Sequence, residues 1–171
     1  MNRCFLLLAT IVFTINSFSQ GSSTTQNLQS LKKLSFLTGD WHGAGKYISP
    51  QLTDSSSVNQ KAALIDSIAT FQMDFSFEFM SSKTNVTTTV LITFDPKTID
   101  WHASVSSEGM TLNGLARLVN DHTIECQYVW KGAFRFKYTY CVTNNNETIL
   151  GEQLDETGKG WTEIFRGAVS K

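Results

Sequence analysis

Between residues 71 and 79 the chain reads Phe-Gln-Met-Asp-Phe-Ser-Phe-Glu-Phe, and no other stretch restricts the fold so strongly. Phe71, Met73, Phe75, Phe77 and Phe79 share one phase of a period of two, and Gln72, Asp74, Ser76 and Glu78 share the other. Alternation of this kind gives a β-strand one dry face and one wet face. The same period recurs through the chain. Val86, Thr88, Val90, Ile92 and Phe94 lead to an Asp95-Pro96-Lys97-Thr98 turn, and a strand over 99–105 carrying Trp101 leads to Ser107-Glu108-Gly109. Leu112, Gly114, Ala116 and Leu118 form the face of a further strand. Strands over 123–130 and 134–142 flank Lys131-Gly132, and a last pair over 148–154 and 161–169 flanks a glycine-bearing turn at 156–160.

Upstream, Asp40 to Ile48 reads as a first strand, and the Ser-, Asp- and Asn-rich stretch from Pro50 to Gln60 reads as a long loop. Lys61 to Ile68 fits a strand or a short helix equally well. Leu28, Leu31, Leu34 and Leu37 recur every three residues, which predicts a short helix ending before Gly39. The total is nine or ten strands. Consecutive strands joined by short turns pair antiparallel, and closing the sheet removes its edges. The expected fold is therefore all-β: an antiparallel up-and-down barrel of 8–10 strands with a short N-terminal helix. A Greek-key sandwich would need a long crossover, for which the 50–60 stretch is the one candidate.

The chain has 171 residues, with 14 Lys and Arg against 15 Asp and Glu. That suits one domain, and so even a balance excludes the broad basic face of a nucleic-acid binder. The first 19 residues have the layout of an export signal: Arg3, an apolar stretch from Phe5 to Ile15, and small residues at Ser17 and Ser19. Residues 20–27 then form a flexible leader and 28–171 the barrel. The apolar stretch falls short of the roughly 20 residues that cross a bilayer, so no transmembrane anchor is expected. Cys4 precedes it and would leave with the signal. The expected product is a soluble monomer in the periplasm or outside the cell. Of the remaining thiols, Cys126 shares the apolar phase of its strand and Cys141 takes the opposite phase in the next, so two free thiols are expected rather than a bridge.

The segment Leu34-Ser35-Phe36-Leu37-Thr38-Gly39-Asp40-Trp41-His42-Gly43-Ala44-Gly45 resembles the opening of lipocalin-like (calycin) barrels, especially the secreted DUF1579 group and, more distantly, nitrobindin. Phe94-Asp95-Pro96-Lys97-Thr98, Ser107-Glu108-Gly109 and the ending Gly158-Lys159-Gly160-Trp161 with Arg166 extend the resemblance over most of the chain after residue 20. It implies a structural signature of Trp41, Arg166, Gly39, Gly43 and Gly45, in which the Arg166 guanidinium packs on the Trp41 indole at the closed end. Nitrobindin-like barrels hold haem through a histidine on a late strand. This chain has no histidine beyond His122, so haem is disfavoured and no cofactor is expected.

His42, His102 and His122 lack the spacing of a metal site, and none is expected. Asp74 and Glu78 share a strand face but stand roughly 13 Å apart, too far for a glycosidase pair. Gly39 to Lys46 is off the phosphate-loop spacing, and Ser30-Leu31-Lys32-Lys33 lacks the companion motifs of a penicillin-binding enzyme. What remains is the interior. The stripes Phe71 to Phe79 and Phe134 to Tyr140 would line it, and Phe75, Phe77, Trp101, Tyr128, Trp130, Phe136, Tyr138 and His102 are the candidate pocket residues. An open interior predicts a carrier of a small apolar ligand without covalent chemistry. A filled one predicts a protein-interaction module of the envelope or cell exterior. An inward-facing His102 or Asp74 would point to isomerase or cyclase chemistry.

Overall fold

The computed structural model describes residues 24–50 and 52–171. The expected export signal lies outside the described residues. Helical residues 24–31 run into a 3-10 helix at Lys32–Leu37, and the three-residue leucine spacing buries Leu31, Leu34 and Leu37 completely. Ten strands follow: β1 (Gly39–Ile48), β2 (Thr53–Ile65), β3 (Thr70–Phe79), β4 (Asn85–Asp95), β5 (Asp100–Ser107), β6 (Met110–Asn120), β7 (Thr123–Trp130), β8 (Phe134–Thr143), β9 (Asn146–Leu154) and β10 (Trp161–Ser170). Each pairs antiparallel with its chain neighbours, and β1 pairs with β10 to seal an up-and-down barrel. No sandwich forms, because no strand departs from its neighbour. The turns suit this meander. Glu108 and Gly109, and likewise Asn144 and Asn145, take positive φ in two-residue hairpin loops, the geometry that matches strand twist.

From Thr53 on, the stretch expected as a long loop is instead the first half of β2, and the ambiguous stretch after it is strand as far as Ile65, with a 3-10 turn at Asp66–Ile68. The inward phase of β2 begins Asp54, Ser56, Val58, Gln60, so polar residues occupy positions where alternation normally shows apolar ones. Asp54 is satisfied there by the Ser81 backbone N–H and hydroxyl, which tie β2 to the β3–β4 turn. Cys126 is buried inside and Cys141 sits on the other phase of β8; both are free thiols.

The helical segment and the turns β2–β3, β4–β5, β6–β7 and β8–β9 share one end of the barrel. Phe36 meets His122 edge-on there, and the Trp41 indole N–H donates to the Leu37 carbonyl at 2.7 Å. That bond takes up an acceptor left free where the helix stops. The cation over Trp41 is Lys171, with Nζ 4.5 Å from the ring, and not Arg166. Register explains the correction. Arg166 pairs with Lys46, five residues and roughly 17 Å along β1 from Trp41, and it faces out to bind Glu163. Trp41 faces in. Gly43 and Gly45 are tight positions: a Cβ on Gly43 would strike the Ala168 carbonyl, and one on Gly45 would lie 2.6 Å from the Phe165 ring. A Cβ on Gly39 would meet the Lys171 chain at 2.9 Å.

Candidate functional site

The other end of the barrel encloses a cavity of about 290 Å³. Inward phases of nine strands meet around it, from Tyr47 on β1 to Phe165 on β10. Phe75 stacks on Tyr140 across the lumen with centroids 5.9 Å apart, and Phe77 meets Phe165 edge-on at 5.6 Å. These two contacts join β3 to the far wall. Phe71, Met73, Ile92 and Ile124 fill the space toward the helix end, where all are buried. Val90, Val105 and Leu112 supply the wall opposite.

The lumen stays open partly because two tyrosines lie flat against glycines on the neighbouring strand. Tyr138 faces Gly151 and Tyr128 faces Gly114 in the register. A Cβ on Gly151 would come within 2.7 Å of the Tyr138 ring, and one on Gly114 would meet the Tyr128 ring at 3.0 Å and strike the Gln127 carbonyl. Any other residue at these places would push the ring inward or the strands apart.

Of the sequence candidates, Phe75, Phe77, Tyr128, Phe136 and Tyr138 line the cavity, and Tyr140 from the second stripe joins them. Three do not. His102 lies on the outward phase of β5 and is exposed, because Trp101, Ala103 and Val105 take the inward one. Trp101 packs edge-on against Phe94 at 5.4 Å, toward the helix end and outside the cavity. Trp130 packs at a tilt against Phe134 by the β7–β8 turn, with the Lys131 ammonium 4.7 Å from its ring, and lies outside the cavity lining.

No histidine reaches the interior. His42 is exposed and bonds Asn59, His102 faces out, and His122 sits in the turn against Phe36. The lining therefore does not fit a histidine-held haem. Among the described residues no three His, Cys, Asp or Glu side chains gather as a metal centre requires, and no helix is long and apolar enough to cross a membrane. Asp74 accepts hydrogen bonds from Gln72 and Thr89 and does not enter the cavity.

The cavity lining carries no Lys, Arg, His, Asp or Glu. Its polar groups are hydroxyls. Thr88 donates to Ser107 at 3.1 Å, and Ser107 to the Thr87 carbonyl at 3.1 Å, so the pair near the mouth satisfies itself. The other hydroxyls belong to Tyr47, Tyr128, Tyr138 and Tyr140. Burial raises Tyr138 to about 12 and lifts Tyr128 and Tyr140 well above the ordinary phenol value, so all three remain neutral. Burial likewise lifts the Cys126 thiol to about 12, which removes it as a nucleophile.

Two features escaped sequence reasoning. Phe165 lines the cavity because the β9–β10 register shifts between Glu163 and Phe165 and resets the phase of β10. Nothing in the sequence marks that bulge. Glu147 is fully buried one inward step from Ile149, toward the helix end, with a carboxylate oxygen 3.0 Å from the Gln60 amide nitrogen. Its signal was present: Glu147 shares the phase of Ile149 and Gly151, so that strand carries an acid on its inward face.

No family of known proteins matches the sequence, and no curated protein matches it either. Among solved structures, the crystal structure of Rv2717c from M. tuberculosis is similar, at a TM-score of 0.60 and 11% identity over 82% of this chain and 96% of that one. At that identity the likeness is one of fold, and it establishes the ten-strand antiparallel barrel as a known architecture.

Proposed function

We propose that this chain is an exported, monomeric barrel that binds and carries a small apolar molecule, with no covalent chemistry of its own and no haem. One observation carries the reading: the interior holds a cavity of about 290 Å³ walled by aromatic and aliphatic side chains with no charged group among them. That volume sits at the small end of ligand sites, roughly 300 Å³ and upward. Apolar cavities of lesser size stay dry and accept apolar guests. The leader read over residues 1–19 supports export, and the resemblance to secreted lipocalin-like barrels supports carriage.

A docking role at the mouth is the second reading. Leu52, Met80, Met110 and Phe134 are each more than 40% exposed around that end, an apolar rim that a partner would cover.

Mass spectrometry of organic extracts tests the first reading, using the full chain expressed with its own leader and compared with Leu112→Trp, which fills the lumen. The expected result is a reproducible small molecule in the wild-type extract that is missing from the variant. Recovery of nothing from wild type, or of the same species from both, overturns carriage and leaves the rim as the functional surface.

A further inference from the structure

The five connections at the mouth differ in sequence but share one property: each holds a large apolar side chain out in solvent. Tyr47 and Leu52 flank the β1–β2 loop, Met80 stands in the β3–β4 turn, and Met110, Phe134 and Trp161 open β6, β8 and β10. Strands follow chain order around the closed barrel, so these side chains encircle the opening. Tyr47 and Met110 also line the cavity, which makes the ring continuous with the lumen. Among the described residues the helix end exposes Ile68, Ile99 and Val119, around a packed core rather than an opening.

So much exposed apolar surface around one rim marks a face that is covered in use. Its charges bear on what covers it. The five connections carry Lys83, Lys131 and Lys159 against Glu108, Asp155 and Glu156, so the rim is electrically balanced. A balanced rim gains little from an anionic surface, and it matches a headgroup layer that carries both signs. The indoles suit the same depth. Lys131 Nζ stands 4.7 Å from the Trp130 ring, and Lys137, also paired with Glu152, has its Nζ 4.5 Å from the Trp161 ring. An apolar ring body under an ammonium fits the boundary between acyl chains and headgroups. A peptide has less to hold, because the closed barrel leaves no strand edge to which one could add.

We infer that the mouth docks on a zwitterionic lipid surface, its apolar ring entering the headgroup layer so that the cavity opens toward the acyl chains. The inference takes up the docking reading of the rim and supplies its partner. It stands whether or not a ligand is carried.

Co-sedimentation with phosphatidylcholine vesicles tests it, using the full chain expressed with its own leader, with tryptophan emission read on the same samples. Two variants are compared with wild type. Leu52→Ser/Met80→Ser/Phe134→Ser alters the rim at sites outside the cavity lining, and Ile68→Ser/Ile99→Ser alters the helix end. All five side chains are exposed, so both variants should fold, which thermal melts check. Wild type is expected to sediment with the vesicles and to shift its emission to the blue. The rim variant should partition at least about tenfold more weakly, and the helix-end variant within about twofold of wild type. Raising salt from about 0.1 to about 0.5 M, or adding phosphatidylglycerol, should change partition by less than about threefold.

If wild type ignores the vesicles, if the rim variant binds as well, or if binding needs phosphatidylglycerol and is lost in salt, the lipid assignment is overturned. Velocity sedimentation keeps that failure apart from failure of the docking reading. A wild-type dimer that the rim variant does not form, in protein that ignores vesicles, would give the rim to a second copy of this chain instead.

Discussion

The two ends of this barrel are made from the same ten strands, yet one is packed shut and the other hollow. At the helix end, Leu31, Leu34, Leu37 and Trp41 are all fully buried, and the indole is held by the Leu37 carbonyl beneath it and the Lys171 ammonium over it. At the mouth, Phe77, Phe136 and Tyr138 are only half-buried around open volume, and the rim exposes Met80, Met110 and Phe134. A barrel of this width has interior to spare. Plugging one end with a helix concentrates the stabilising burial there and leaves the other end free of it. Stability and ligand space are thus segregated along the barrel axis.

Substitution at the plug should therefore cost far more than substitution at the cavity. Trp41→Ala removes a wholly buried indole, its hydrogen bond and its cation contact, and should lose about 3–5 kcal/mol in urea unfolding. Phe77→Ala, at a ring already facing open volume, should cost clearly less. Equal losses would mean that the two ends are not energetically distinct.

Between them lies Glu147, and here pH sharpens the contrast. Burial lifts its carboxyl from 4.5 to about 8, against opposing contributions from the Gln60 hydrogen bond and the Lys171 charge. The folded protein thus holds a proton that the unfolded chain releases. Stability from this group is whole below about pH 4.5 and drains away as pH rises toward 8. Glu147→Gln keeps the shape without the ionisation, so it should match wild type near pH 4.5 and exceed it at pH 8 by up to about 4 kcal/mol, the full linkage of that shift. Chemical denaturation at several pH values reads this out, and parallel curves for the two proteins would show that the buried carboxyl does not titrate in that window.

At the hollow end the corresponding probe is Gly151→Ala. The added methyl would drive the Tyr138 ring into the lumen or off its wall, at a cost of about 1–3 kcal/mol. Binding of an apolar probe, 2-isopropylnaphthalene, should weaken by more than the stability change implies, because the ring moves into the ligand's space. An unaltered affinity would place the ligand elsewhere.

How much of this was readable beforehand follows the same axis. The strands from β3 onward announced themselves wherever the inward phase was apolar, as in Phe71 to Phe79, and closure followed from the absence of any crossover. Polar inward residues hid the first half of β2, since Asp54, Ser56 and Gln60 look like loop until their partners are seen. Parity put Phe75, Phe77, Tyr128, Phe136 and Tyr138 on the inward face, where all five border the cavity, but parity reports a face and not a depth. Trp101 and Trp130 take positions outside the cavity at opposite ends, and His102 was on the outward phase from the start. Depth depends on register, and register depends on bulges such as the one between Glu163 and Phe165 that composition does not mark.

The smallest effect tests register directly, because two cations near the end of the chain make opposite predictions. Arg166 and Lys171 are both exposed, and sequence resemblance alone favours Arg166 as the partner of Trp41. The register of β1 with β10 pairs Arg166 with Lys46, while Lys171 reaches the indole face at 4.5 Å. Lys171→Ala should therefore cost about 0.5–1 kcal/mol, the scale of an exposed cation over an aromatic ring. Arg166→Ala removes only a surface pair with Glu163 and should change stability little. Lys171 also bears on Glu147, so its loss should push that carboxyl's midpoint further up, steepening the fall in stability toward alkaline pH. A cycle combining Lys171→Ala with Glu147→Gln isolates that coupling. If Arg166→Ala proves the costlier change, or the cycle closes without coupling at pH 8, then β10 is registered differently against β1 and the sealed end is held by other contacts.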